Sequence, residues 1–289
     1  MKNAHQHTIF TNDGQELALW CLQSKSSVVD PVEKDILLIH GTFSNHTAFT
    51  GITQYLVKNG YRCWILDWRG HGESQDSKKH YDMETVGRYD IRAAFDFLDE
   101  QGVRQLDCIT HSGGGISLTI FLTENEHEQK MINSITMFAC QAFGSAQRKR
   151  NHVKVFLGKQ ISKTLGYVPG KFAGVKGENE SYYMMEQWFN WNLSGRFISR
   201  EGIDIGRKMS NIRTPVFAIS ADGDIHIAPP SGCLAFMNTF QNPNNRFIRC
   251  GTNSGFSEEF NHSRVLQSRN AAKEIWPLVL DWVGQNQDP

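Results

Sequence analysis

The sequence predicts an α/β protein: a mostly parallel central sheet flanked by helices, with one helical insertion. Three observations predict it. Unbroken apolar runs such as Ile36-Leu-Leu-Ile-His40, suited to strands buried on both faces, alternate with amphipathic helical stretches in a βαβ rhythm. Leu106, Cys108 and Ile109 read as a short buried strand that runs through Thr110-His-Ser-Gly-Gly-Gly115 into the helical ISLTIFL, so Ser112 falls on a strand-to-helix turn. The rhythm then breaks at Gln141 and resumes at Pro215, which leaves the space between as an insertion over the sheet edge.

The elements follow in order. Thr8 to Phe10 and Leu17 to Leu22 flank Thr11-Asn-Asp-Gly14, whose Asp-Gly predicts a hairpin. After the turn-rich KSSVVDPVEKD comes the strand Ile36 to His40, a helix Thr47 to Lys58 closed by Asn59-Gly60, and a strand Tyr61 to Trp68. Ile91, Ala94, Phe95 and Leu98 repeat at helical spacing, so Asp90 to Leu98 is a helix with one face on the sheet. The strand ending before Ser112, the helix Ile116 to Thr123 and the strand Ser134 to Cys140 complete the first half. Beyond the insertion come a strand Pro215 to Ser220, a helix Ser231 to Thr239, a strand Arg246 to Cys250 and a last helix Ala271 to Val283. The expected division is a core of residues 1–141 and 214–289 with a cap of residues 142–213.

At 289 residues and 39% hydrophobic content the chain can bury one substantial core, and a formal net charge of +0 argues against general nucleic-acid binding. The start, MKNAHQHTIFTNDG, has no apolar h-region, and no later run approaches the roughly 20 residues that span a bilayer. A cytoplasmic protein without an integral membrane span is expected. Its six cysteines (Cys21, Cys63, Cys108, Cys140, Cys233 and Cys250) are scattered without C-x-x-C spacing and read as reduced core residues. His5 and His7 are incidental on a mobile terminus, and no metal or cofactor is implied.

A sharp strand-turn-helix pushes one side chain out over the end of the sheet and tolerates only small neighbours. Gly114, two residues after Ser112, meets that demand; Thr110, two before it, is β-branched where the G-x-S-x-G pattern has glycine. The competing reading is a glycine-rich phosphate loop, but neither G-x-x-x-x-G-K-[ST] nor G-x-G-x-x-G fits these letters.

Several motifs agree in order. His40-Gly41-Thr42-Phe43 follows an early strand, Asp67-Trp-Arg-Gly-His-Gly-Glu-Ser74 is similar to R-G-H-G-x-S, and Thr110 to Gly115 is similar to G-H-S-x-G-G. On these residues the chain resembles the α/β-hydrolase superfamily over nearly its whole length outside the insertion. Within it the likeness is to the monoacylglycerol lipase, lysophospholipase and serine aminopeptidase-like hydrolases, which carry a helical cap where the insertion lies. The resemblance implies the α/β-hydrolase fold and a Ser, acid, His order of catalytic residues.

A hydroxyl nucleophile needs a base within hydrogen-bond reach, and the base needs an acceptor that fixes its tautomer. Ser112 is the candidate nucleophile. Asp224, in Ala-Asp-Gly-Asp-Ile-His just past a strand, occupies the position of the family's acid. Asp222 is its rival, set second because Asp222-Gly223 reads as a turn pair. The other place where such enzymes keep an acid holds Gln141. His262, between the last strand and the last helix, is the candidate base. His226 lies too close in sequence to Asp224, His111 packs beside the nucleophile, and His40 and His71 orient their loops. For the oxyanion, the backbone N–H groups of Gly113 and Thr42 are the candidate donors, with Phe43 as runner-up to Thr42.

The insertion is charged in two halves. Arg148, Lys149, Arg150, Lys154, Lys159, Lys163, Lys171 and Lys176 occur without an acid; Glu178, Glu180 and Glu186 then alternate with Tyr182, Tyr183, Met184, Met185, Trp188, Phe189 and Trp191. Phe43, Trp188 and Phe189 are candidate substrate contacts, and the competing reading makes the aromatics the insertion's own core. Together these readings predict a serine esterase or lipase acting on small-molecule esters with acyl chains, its cap mobile and its basic half favouring an anionic end. The alternatives are a thioesterase, amidase, peptidase or acyltransferase using the same residues, or a ligand-binding protein without turnover. An epoxide- or haloalkane-type mechanism is disfavoured, since it needs a carboxylate where Ser112 stands.

Overall fold

The computed structural model describes residues 4–24, 34–77, 79–170 and 179–285. Most of the turn-rich segment before the first parallel strand, together with Lys171, Lys176 and Glu178, lies outside the described residues. Ten strands are present among those described. Eight form one sheet: β1 (His5–Phe10), β2 (Glu16–Leu22), β3 (Lys34–Ile39), β4 (Tyr61–Asp67), β5 (Leu106–His111), β6 (Ile132–Phe138), β9 (Val216–Ala221) and β10 (Arg246–Cys250). Their spatial order is β1-β2-β4-β3-β5-β6-β9-β10, with β2 antiparallel to β1 and β4 on either side of it and every other pair from β4 to β10 parallel. The remaining two, β7 (Tyr167–Val168) and β8 (Glu180–Ser181), pair as a small antiparallel ladder inside the insertion.

Strand β3 shows why its residues are uniformly apolar. Leu37 and Ile39 enter the core on one face of the sheet, Ile36 and Leu38 enter the core on the other, and all four are fully buried. Each such side chain is worth about 1.5–3 kcal/mol on burial, so alternation with polar residues would cost one core or the other. On the first face Phe95, from the helix Arg92–Glu100, packs on Phe121 with ring centroids 4.7 Å apart. On the second, Val279 and Trp282 of the helix Trp276–Gln285 cover Phe217 and Ile219. The edge strand β1 extends three residues further toward the start than predicted, and the His7 ring packs against Trp64 and Phe97.

Three predicted boundaries shift for local reasons. The helix after Ser112 begins at Gly113, not Ile116: a glycine run is a poor helix former, but here a Cβ on Gly114 would lie 2.3 Å from the Ile39 carbonyl. The helix predicted from Asp90 continues a coiled stretch beginning at Met83, with a wider π turn over Val86–Ile91 that turns Asp90 inward. The last predicted helix divides at Ile275 into Arg269–Glu274 and Trp276–Gln285, where Pro277 lacks an N–H to continue the ladder.

Strand order reverses at β3, which has β4 on one side and β5 on the other. A crevice outside the carboxyl ends of β3 and β5 is therefore the expected ligand position in such a sheet. His40 to Phe43 leave the end of β3 and Ser112 leaves the end of β5.

Candidate active site

Ile39 pairs with Thr110, so the loop after β3 lies alongside the turn after β5. The approach is close enough that a Cβ on Gly41 would stand 2.8 Å from the Ser112 Cβ. Ser112 has φ 50° and ψ −121°, a conformation that costs a residue with a side chain on the order of 1–3 kcal/mol. Its N–H is held by the Phe138 carbonyl at 2.9 Å, at the end of β6. Thr110 fits where glycine was expected because the neighbour facing it is small: a Cβ on Gly115 would meet Thr110 Oγ1 at 2.8 Å and Cys140 Sγ at 2.6 Å.

Asp224 follows β9 and His262 lies in the loop after β10. His262 Nδ1 and Asp224 Oδ2 are 2.5 Å apart, and the carboxylate also accepts from the N–H groups of Ile227 at 3.0 Å and Ala228 at 3.1 Å. Burial pushes the Asp224 carboxyl up, but the adjacent imidazole and these hydrogen bonds outweigh it and hold the group below the ordinary carboxylate range. An ionised Asp224 can only accept, so His262 Nδ1 carries a proton and Nε2 is left for another partner. Asp222 faces away from His262: it accepts from Arg249 Nε at 2.9 Å and Ser254 Oγ at 3.3 Å. Gln141 is no substitute acid, but its Nε2 donates to the Ile227 carbonyl at 2.7 Å and so steadies the turn that carries Asp224.

Thr42 and Gly113 meet beside Ser112, where a Cβ on Gly113 would be 3.3 Å from Thr42 N. The N–H of Phe43 is already taken by Glu180 Oε2 at 3.3 Å, which separates it from Thr42 as a donor. His40 and His111 are wholly buried. Burial and the neighbouring His71 push the His40 imidazole down to about 4, and burial with the neighbouring His262 pushes His111 down to about 3. Both rings are therefore neutral at pH 7.

Ser112, Thr42, Gly113 and His262 line one cavity of about 480 Å3, within the range of small-molecule sites. Phe43, Met185, Trp188 and Phe189 form much of its apolar wall. The aromatic run thus divides: Trp188 and Phe189 face the cavity, whereas Trp191 packs edge-on against Phe197 at 4.7 Å within the insertion. The basic run divides too. Of its described members Lys154 lines the cavity, with Nζ 3.5 Å from His226 Nε2, while Lys159 donates to Asn190. The helix Tyr182–Ser194 is tied to the core by Gln187, which accepts from Met83 N at 3.0 Å and donates to Glu84 Oε1, while Asn192 accepts from Ser145 N at 2.7 Å within the insertion. The helix Lys149–Leu165 buries only Val155 and Ser162, leaving Val153, Phe156, Leu157, Ile161 and Leu165 exposed.

Two contacts had no signal in the sequence. Glu180 reads as one acid in an alternating run, yet it reaches the loop after β3; His111 reads as packing, yet it bonds the His262 backbone. Both depend on long-range pairing that no local pattern carries.

Comparison with known proteins gives the chain its relatives. Among curated proteins none matches it in sequence. An esterase from Exiguobacterium antarcticum is similar in structure with a TM-score of 0.69 at 15% identity, over 97% of this chain and 100% of that one. A thermophilic esterase from Thermogutta terrifontis gives 0.63 at 15% identity over 98% and 100%, and a monoacylglycerol lipase from Paleococcus ferrophilus gives 0.65 at 14% over 94% and 99%. At these identities the likeness is one of fold. The sequence itself matches a hydrolase family, described as serine aminopeptidase, S33, over residues 30–248. With that match spanning most of the α/β sheet, the chain belongs to the S33 family of α/β-hydrolases.

Proposed function

We propose that the protein is a serine hydrolase of carboxylic esters that works through an acyl-enzyme on Ser112. The observation that carries this reading is the juxtaposition of three features at one cavity: Ser112 on a strained turn, His262 held at 2.5 Å by an ionised Asp224, and two backbone N–H groups, Thr42 and Gly113, beside the serine. In the proposed reaction Ser112 Oγ attacks the ester carbonyl carbon while His262 Nε2 takes its proton. The carbonyl oxygen becomes an oxyanion that accepts from Thr42 N and Gly113 N, helped by the amino end of the helix Gly113–Glu124. His262 then returns the proton to the departing alkoxide. Water, deprotonated by the same imidazole, releases the acid and restores Ser112.

The insertion serves as the cap of this site, with Trp188, Phe189 and Met185 receiving the acyl chain. An aminopeptidase reading is less well supported, since a free α-amine would meet Lys154 and His226 at the same wall. Neutral or anionic esters suit that wall better. Labelling by a fluorophosphonate probe, followed by turnover of p-nitrophenyl esters of graded chain length, tests the reading. Labelling of Ser112 with ester turnover is expected; a protein that neither labels nor hydrolyses any ester of the series would overturn it.

A further inference from the structure

Glu180 is carried by the insertion on β8, is 1% exposed, and has no part in the reaction proposed above. Its Oε2 accepts from Phe43 N at 3.3 Å and from His71 Nε2 at 3.1 Å, and its Oε1 accepts from Ser181 N at 2.9 Å. The direction of the histidine bond follows from its other nitrogen. Trp68 Nε1 can only donate and reaches His71 Nδ1 at 2.7 Å, so the imidazole proton sits on Nε2 and points at Glu180.

A second clamp grips the same loop from the core. Trp68 N donates to His40 Nε2 at 3.3 Å, which leaves the His40 proton on Nδ1, and Nδ1 donates to the Gly41 carbonyl at 2.8 Å. The Gly41 carbonyl and the Thr42 N–H belong to one planar peptide unit, so holding the first aims the second in the opposite direction. The next peptide unit ends in the Phe43 N–H, which Glu180 holds. Phe43 needs that hold: at φ 63° it lies in the left-handed region, which a side-chain-bearing residue leaves unless something retains it.

From this we infer that Glu180 is a positioning residue for the oxyanion donor Thr42, so that the insertion supplies one of the two clamps on the catalytic loop. The inference rests on the ester reading, and it assigns the insertion a role separate from lining the cavity. His40 fixes the Gly41–Thr42 peptide from the core; Glu180 fixes the Thr42–Phe43 peptide from the insertion. Loss of the Glu180 acceptor lets Phe43 relax toward negative φ and frees the Thr42–Phe43 peptide, so that Thr42 is held from the core side alone and its N–H is less firmly aimed at the oxyanion.

The test compares Glu180→Leu, which keeps bulk and removes the acceptor, with Glu180→Gln, whose single amide oxygen can take both the Phe43 and His71 donors. Removal of one oxyanion donor outright costs on the order of 10²–10³ in kcat, and displacing it is expected to cost Glu180→Leu about 10–100-fold, with KM little changed. Glu180→Gln is expected to retain most of the wild-type rate. An alkyl trifluoromethyl ketone, which forms an oxyanion on the serine, should lose affinity in Glu180→Leu in parallel with kcat, whereas the corresponding alcohol should bind as before. Amide hydrogen exchange at Phe43 should accelerate about tenfold or more in Glu180→Leu, because the Phe43 N–H loses its acceptor. An unchanged kcat in Glu180→Leu, or equal losses for ketone and alcohol, would overturn the inference. If the wild type hydrolyses no ester and binds no ketone, the ester reading falls instead; Phe43 exchange still decides whether Glu180 holds the loop, and unchanged exchange rules that out.

Discussion

His111 Nε2 donates to the carbonyl of His262 at 2.9 Å, so the residue preceding Ser112 grips the backbone of the residue proposed to take its proton. The turn after β5 and the loop after β10 are 151 residues apart in sequence and are joined here by one buried bond. The other ring nitrogen, Nδ1, is buried without a hydrogen-bond partner among the described residues. A proton there would be an unsolvated charge, which is the cause of the fall to about 3.

That burial has a pH consequence. Both His111 and His40 have folded-state values, about 3 and about 4, below the 6.5 of an exposed imidazole. The unfolded chain therefore binds protons first, and stability present above pH 6.5 is lost progressively as pH falls toward those values. On the order of 3 kcal/mol for each ring is expected to be gone by pH 4. Urea midpoints measured between pH 7 and pH 4 should fall accordingly, and His111→Gln, which keeps a donor for the His262 carbonyl but cannot titrate, should flatten the curve. An identical pH dependence in the variant would show that His111 is not one of the responsible groups.

The strain at Ser112 gives a prediction that separates activity from stability. Ser112→Ala and Ser112→Gly should both abolish fluorophosphonate labelling and ester hydrolysis. Only glycine adopts φ 50° without cost, so Ser112→Gly should be the more stable of the two by about 1 kcal/mol, after allowing for the greater freedom of glycine in the unfolded chain. Thermal melting of the two variants side by side reads the difference. Equal melting temperatures would mean that the turn stores no such strain.

The parts legible in the sequence were those with a local physical signature. Ile36 to Ile39 announce a strand between two cores because each residue faces one of them, and Gly113 to Gly115 announce a close approach because a side chain would strike the Ile39 and His40 carbonyls or Cys140. Asp224 is bonded to His262, and Asp222 is occupied by Arg249 where its own backbone was expected. What could not be read were contacts made by the tertiary fold alone. Glu180 looks the same in sequence as Glu186, yet one bonds Phe43 N and the other Tyr182 Oη, and only the placement of the insertion distinguishes them.

The two aspartates can be separated by experiment. Asp224→Asn should lower kcat/KM by about 10³–10⁴-fold, since an amide no longer fixes the tautomer of His262 or balances its positive charge. Asp222→Asn removes a partner of Arg249 and Ser254 and touches none of the residues proposed for the reaction, so activity should stay within a few-fold of wild type. The kinetics of both variants on one ester decide the matter. A severe loss in Asp222→Asn with a mild one in Asp224→Asn would reverse the assignment.

The sequence presents a basic run in the insertion, but the cavity selects from it: Lys154 faces the site beside His226, whereas Lys149 and Arg150 do not line it. Steering of an anionic substrate should therefore depend on Lys154 more than on the size of the run. Screening shortens the reach of such a charge from about 10 Å at 0.1 M salt to about 3 Å at 1 M, so kcat/KM for an ester with a carboxylate or phosphate end should fall with salt more steeply than for a neutral ester of equal chain length. Lys154→Gln should narrow the gap between the two substrates at low salt, and Lys149→Gln with Arg150→Gln should narrow it far less. Because Lys154 is exposed, the substitution should leave the melting temperature unchanged, which separates a substrate effect from a folding one. Equal salt dependence for both esters, unaltered by Lys154→Gln, would leave the basic residues as a solvated face and assign the wall only its apolar role.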